Sequence, residues 1–319
     1  MERRLGMTIP FDTLGLGQQK SAIESLVESG YSDVWSSEVA QYDAFTPLIL
    51  ANEWQPTLNL GTAIVPAFTR GPATLAMSVA ALSALAPGRF SIGIGSSSDV
   101  IVSKWNAVDF DKPFSRNRDI LRFLREALDG KKVDRDFDTF SISGFRLASP
   151  PDSPPKILLA ALRERMLKLA GSEGDGAILN WLSADDVSRV VPIVGDGKEI
   201  VARIFVAPNV ERERFLEAGR RLIASYLNVG VYRDFHIWLG RSEKLEQMWT
   251  LWASGDRKGA VAAIPEEVVD ELIVGGTTEE CRRHIERYQT NGVNVAALAI
   301  LPFGIDPLAE AVAIGKFQI

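Results

Sequence analysis

The sequence predicts a (β/α)8 barrel of the α/β class, and three observations carry that expectation. Short apolar runs of strand type alternate with helix-type segments along the chain, which implies a parallel sheet. The run over residues 58–65 reads as one uninterrupted strand, as expected when both faces of a sheet are covered. About eight such units fit one chain of 319 residues, which favours closure into a barrel over an open sheet. The chain reads as a single domain, 1–319, with a helical insertion over about 230–265, near the seventh strand.

The elements follow in order. Residues 5–9 form the first apolar run. Residues 18–29 are helical, with Ile23, Leu26 and Val27 on one face and Gly30 as the stop. Residues 33–36 are the next strand and 45–54 the next helix. After the 58–65 strand, residues 72–86 form a helix. Pro72 suits its first turn, and Leu75, Val79, Leu82 and Ala86 recur at helical spacing. Residues 90–94 are strand. Residues 116–129 are helix, with Ile120, Leu124, Ala127 and Leu128 inward and Gly130 behind. The rhythm breaks over 133–145, where polar and apolar residues alternate around Asp138 as in a small hairpin. It resumes with strand 156–160, helix 163–172 and strand 176–179. Ser183 opens a helix carrying Val187, Val190, Val191 and Val194. Strand 200–206, helix 210–226 and the insertion at 232–263 come next. Thr277 and Glu280 make a capping box for a helix ending near Gly292, and 295–301 is the last strand.

Composition narrows the function. Hydrophobic residues make up 46% and charged residues 24%, a globular balance that argues against disorder. Lys and Arg number 35 against 41 Asp and Glu, a net charge of −6 without basic runs. That argues against nucleic acid and anionic membrane as partners. A single cysteine, Cys281, leaves no internal disulfide framework and no thiolate metal cluster. Two histidines, His236 and His284, exclude a three-histidine zinc site, and no metal is expected. The apolar run at 74–86 is broken by Ser78 and Ser83, too short to span a bilayer. Arg3 and Arg4 precede no long apolar signal, so the expectation is a soluble, cytoplasmic protein.

In a parallel barrel the chemistry sits at the C-terminal ends of the strands. That filter leaves few carboxylates: Asp12, Glu38, Asp43 and Asp99. Asp175 precedes a strand and belongs to the opposite, structural face. Glu38 lies two residues beyond Trp35-Ser36, where a side chain can point into the mouth. It is the candidate for acid–base work or for a hydrogen bond to a cofactor ring, against the plainer reading of a loop or helix cap. Gly93-Ile94-Gly95-Ser96-Ser97-Ser98 lacks the third glycine of a dinucleotide fingerprint. It reads as a strand end where a flat ligand or another backbone comes close. Ala160-Ala161-Leu162-Arg163-Glu164-Arg165 runs from strand into helix and offers free N–H groups to an anion, or simply a solvated first turn. His284 reads as a residue on a solvated helix face and His236 as a partly buried, satisfied histidine. Trp238, Trp249 and Trp252 can share one helix face, as core or subunit contact.

Taken together, several stretches resemble the luciferase-like monooxygenase superfamily, in the branch dependent on the deazaflavin coenzyme F420 and related to methylenetetrahydromethanopterin reductase. They are Asp33-Val34-Trp35-Ser36-Ser37-Glu38, Leu60-Gly61-Thr62-Ala63-Ile64-Val65-Pro66 with Thr69-Arg70, Pro87-Gly88-Arg89-Phe90 with Gly93 and Gly95, Lys104-Trp105-Asn106, and Gly174-Asp175-Gly176. The resemblance implies a cofactor in the barrel mouth, coenzyme F420 or alternatively FMN. It implies catalytic work for Glu38. Thr62, Ala63 and Ile64 would lie behind the ring, with a cis peptide or at least a bulge at Ala63–Ile64. Gly93, Gly95 and Ser96 would border the ring, and Ala161, Leu162, Arg163, Glu164 and Arg165 would hold the phosphate tail. Lys104, Trp105 and Asn106 would be substrate-side. Two departures stand out: Ser96 replaces a carboxylate that serves some relatives as proton donor, and Arg163-Glu164 replaces Gly-Pro at the phosphate helix. The implied activity is hydride transfer between the deazaflavin and a small organic substrate, in a homodimer. The alternatives are an FMN-dependent monooxygenase or a non-catalytic flavin-binding homologue.

Overall fold

A computed structural model describes residues 2–316, so the outermost residues of the expected 1–319 domain lie outside the description. Among the described residues, eight parallel strands form a closed barrel: β1 (Arg4–Thr8), β2 (Asp33–Ser36), β3 (Asn59–Thr62), β4 (Phe90–Gly95), β5 (Lys156–Ala160), β6 (Gly176–Asn180), β7 (Glu199–Pro208) and β8 (Val295–Ile300). Each strand pairs with the next, and β8 returns to β1. Helices lie between them, the expected 72–86 segment as Pro72–Leu85 and the 116–129 segment as Pro113–Leu128. No described helix is long and apolar enough to cross a membrane.

The lumen is filled, not hollow. Trp35, Leu158, Ile178, Val201, Val295 and Ala297 pack there. Trp35 is the plug, and glycines make room for it. A Cβ on Gly61 would sit 2.2 Å from its ring, and one on Gly6 3.1 Å away. Below the plug, strand starts hold charges. Arg4 contacts Asp33 at 3.4 Å and pairs with Glu199, which also takes Lys156. Burial pushes the Asp33 carboxyl up to about 6, with Arg4 opposing. Asp175 lies at this same face, accepting the Ile157 N–H at 2.7 Å and pairing with Arg125.

One strand departs from expectation. The 58–65 run is not continuous: β3 stops at Thr62, the Ala63–Ile64 peptide is cis, and pairing to β4 resumes at Val65–Ile94. Thr62 explains how the gap is closed. Its hydroxyl donates to the Gly93 carbonyl at 2.9 Å and accepts the Gly93 N–H at 2.8 Å, so a side chain replaces the missing ladder. A Cβ on Gly93 would lie 2.0 Å from the Thr62 carbonyl oxygen, so only glycine permits this approach. Apolar patterning does not report a break of this kind, because the residues stay apolar through it.

The insertion region folds as helices Gly230–Trp238, Ser242–Ala253 and Arg257–Ala262, followed by Glu266–Leu272. Trp238 therefore sits on a different helix from Trp249 and Trp252, and the three share no single face. Trp249 is core, donating its Nε1–H to the Leu227 carbonyl at 2.9 Å. His236 is fully buried rather than partly. Its ring nitrogens find no well-aligned partner among the described residues, and burial with Arg241 holds its pKa down to about 3. His284 is half-buried and stacked on Tyr288 at 5.8 Å, so its helix face is only partly solvated.

Candidate active site at the barrel mouth

The floor of the mouth is built from small residues. A Cβ on Gly95 would lie 2.8 Å from Ala160 Cβ and 3.1 Å from Ile64 Cγ1. Glycine there lets Ile64 and Ala160 close into a low apolar surface. The loop after β2 is tied to the bulge. Ala63 N–H donates to the Ser36 carbonyl at 2.6 Å, and Glu38 N–H to the Ile64 carbonyl at 3.1 Å. Glu38 and Ile64 are thus positioned together.

The Glu38 side chain is not free. Arg70 grips it, with Nε 3.2 Å from both carboxylate oxygens and Nη2 3.1 Å from Oε2. Ala44 N–H adds a bond at 3.3 Å. Arg70 also approaches Asp43 at 3.7 Å and lies over the Phe45 ring, 4.9 Å from its centroid. Asp43 meanwhile accepts N–H bonds from Phe45 and Thr46 at the start of helix Thr46–Trp54. Burial would raise its carboxyl, but those bonds and Arg70 leave it lowered. Both carboxylate oxygens of Glu38 are thus engaged by charge-assisted bonds that fix the side chain at the mouth. Arg70 is the partner that sequence reading did not single out.

Ser96, at the end of β4, accepts a bond of 2.8 Å from Asn117, which is fully buried on helix Pro113–Leu128. In that bond the serine oxygen is the acceptor, so it does not use the hydroxyl hydrogen. Lys104 and Trp105 end the turn Val100–Trp105 and are exposed. Asn106 spends its amide on the Ile101 carbonyl of that turn at 2.7 Å. Phe110, further along the segment, packs on Phe68 at 5.1 Å and fastens it beside the bulge.

Ala161 is buried at the end of β5, Leu162 is half-buried, and helix Glu164–Ser172 begins with no side chain capping it. Its flanking charges are engaged. Arg163 pairs with Asp234 of the insertion at 3.0 Å, Glu164 with Lys168 at 2.5 Å, and the Arg165 guanidinium lies 3.7 Å from the Phe114 ring centroid. The Glu164–Lys168 pair answers the charge that glutamate brings to this helix start.

Across the mouth, unpaired polar atoms gather at β6 and β7. Asn180 Oδ1, Trp181 Nε1 and Arg203 Nε are buried without hydrogen-bond partners among the described residues. Asn180 Nδ2 donates to the Tyr232 hydroxyl at 3.0 Å, which fastens the insertion to the mouth. A separate groove of about 530 Å3 lies outside the lumen, lined in part by Arg212, Asp270, Arg283, His284 and Arg287. Its Arg212 and Arg287 are already neutralised by Asp270 and Asp185.

The family profile described as luciferase-like monooxygenase matches residues 15–294. The chain belongs to that family. It is similar to a 5,10-methylenetetrahydromethanopterin reductase of Archaeoglobus fulgidus, 24% identical over 308 residues that cover 91% of each chain. Among solved structures, it resembles the coenzyme F420 dependent tetrahydromethanopterin reductase from Methanopyrus kandleri, with a TM-score of 0.80 at 20% identity over 99% of this chain and 98% of that one. It also resembles an F420-dependent secondary alcohol dehydrogenase in complex with an F420-acetone adduct, with a TM-score of 0.78 at 16% identity and the same coverage. At these identities the structural likeness establishes the shared barrel.

Proposed function

We propose that this protein is an oxidoreductase that holds coenzyme F420 in the barrel mouth and moves a hydride between it and a small organic substrate. The observation that carries the reading is the floor formed by Ile64, Gly95 and Ala160, where glycine removes the side chain that would obstruct a flat ring. Ring-bearing coenzymes bind where such apolar surface meets a few convergent polar groups. Ser96 and the Arg70-braced Glu38 supply those groups here, and relatives named for F420 dependence supply the choice of coenzyme. When bound, the deazaflavin supplies the hydride chemistry.

The rest falls to the protein's own side chains. Thr62 fixes the bulge from beneath, and Ile64 presents its apolar face to the ring's back. Glu38, braced by Arg70, holds the rim. Backbone N–H groups at Ala161–Arg165 receive the phosphate tail, with Arg163 shared between the tail and Asp234. Lys104 and Trp105 border the substrate side. The homodimer has a ready face in the exposed Ile49, Met77 and Leu85 on neighbouring helices Thr46–Trp54 and Pro72–Leu85. The activity test is hydride exchange with reduced coenzyme F420 across a panel of small alcohols and carbonyls. The reading expects turnover insensitive to oxygen. Oxygen consumption with reduced FMN, and none with F420, overturns it.

A further inference from the structure

We propose that Arg203, supported by Asn180 and Tyr232, forms an anion subsite in the barrel lumen, and that the substrate carries a carboxylate or phosphate group that docks there. The inference rests on the oxidoreductase reading for the word substrate, but the subsite itself stands on geometry. Arg203 belongs to β7, in register with Asn180 on β6 and Ala297 on β8. Strand alternation puts it on the face of Val201, which packs in the lumen, and of Phe205. It is therefore a cation inside the barrel, one step above the apolar plug.

An arginine in such a place ordinarily has a carboxylate partner, because taking a charge out of water is costly. Arg203 has none within ion-pair distance among the described residues, whereas Arg4 below the plug has two acidic contacts. Its guanidinium carbon lies 5.0 Å from the Phe205 ring centroid. That contact leaves the N–H donors unused among the described residues, where its Nε is buried without a partner. The residue as a whole is only half-buried, so the mouth reaches it.

Asn180 strengthens the case independently. Its Nδ2 donates to the Tyr232 hydroxyl, and its Oδ1 is buried with no partner among the described residues. Oxygen and nitrogen of an amide are assigned from the network, and the reversed amide would accept from Tyr232 and turn a free donor toward the lumen. Unpaired buried polar groups on two adjacent strands call for an occupant. A planar fork beside an amide donor matches the paired oxygens of a carboxylate or phosphate. Burial raises the Tyr232 phenol, with the bond it accepts from Asn180 and the charge of Arg203 opposing the rise, so the hydroxyl stays protonated.

The test is binding of inorganic phosphate and of propionate, each followed by calorimetry at fixed ionic strength, with coenzyme F420 titrated separately by fluorescence. The proposal expects saturable binding of at least one anion, and the tighter of the two identifies the substrate's group. Arg203→Met should weaken that anion at least about tenfold, while Arg283→Met, an exposed arginine on the outer helix Thr278–Thr290, leaves it unchanged. Asn180→Asp sets a carboxylate beside Arg203, preserves the shape, and should abolish anion binding even if Arg203→Met folds poorly. Equal anion affinity in wild type and both lumen variants overturns the subsite, as does wild-type protein that binds neither anion. Loss of coenzyme affinity alone in Arg203→Met also overturns it, assigning Arg203 to the coenzyme. Anion binding through Arg203 without any F420 binding keeps the subsite and removes the oxidoreductase reading.

Discussion

Glu38 and Arg70 act as one unit, and the size of their coupling follows from where they sit. Both side chains are about one-fifth exposed, at 19% and 21%. The pair is worth more than a surface salt bridge and less than a buried one. A double-mutant cycle of Glu38→Gln and Arg70→Met, read by urea unfolding, should give a coupling of about 1–2 kcal/mol. A coupling near zero would mean the contact is incidental. Glu38 was legible in the sequence because it falls just past an identifiable strand. Arg70 was not, because it meets Glu38 from 32 residues away and only the closed barrel brings them together. The same holds for Arg203 and Asn180, whose significance lies in facing an interior that no linear spacing describes.

The β3 bulge is the element on which the mouth depends. Thr62 supplies a donor and an acceptor to one buried glycine, so Thr62→Val leaves the Gly93 N–H and carbonyl both unpaired at nearly constant volume. At about 1–3 kcal/mol for each of the two orphaned groups, the expected loss is about 2–6 kcal/mol in chemical denaturation. A loss under about 0.5 kcal/mol would show that the bulge is held by other contacts. Gly61→Ala tests the plug beneath. Its methyl would enter the Trp35 ring, and overpacking should cost about 1–3 kcal/mol or more. Most elements were legible because their patterns are local: residues 33–36 and 156–160 are strands as read, and Thr277 caps its helix with Glu280. The break in β3 was visible only by resemblance, since the physics of an apolar run favours an unbroken strand.

At the scale of the whole molecule, two buried groups tilt stability with pH in opposite directions. Asp33 has its carboxyl raised from 3.8 to about 6, so the folded state binds its proton more tightly than the unfolded chain. Its contribution is fully present below about pH 4 and is lost as pH rises through about 6. His236 is held down to about 3 from 6.5, so its contribution is present above about pH 6.5 and is lost as pH falls through about 3. Asp33→Asn should remove the first slope and leave the protein relatively more stable at pH 7 than at pH 4. His236→Phe should remove the second and blunt acid unfolding. Thermal unfolding from pH 4 to 8 reads both, and parallel curves for wild type and either variant would contradict the assignment. The barrel itself was legible because alternation and unit count are properties of the entire chain. The contents of its lumen were not, because they depend on which strands become neighbours on closure.

The proposed fit of this mouth to a deazaflavin turns on the floor of Ile64, Gly95 and Ala160. Its most direct test is a fluorescence titration of the purified protein with coenzyme F420 and, in parallel, with FMN. The expected result is saturable binding with F420 the tighter ligand, and F420 affinity reduced in Gly95→Val, where a side chain would enter the floor between Ile64 and Ala160. Equal or tighter binding of FMN, or F420 affinity unchanged in Gly95→Val, would contradict it.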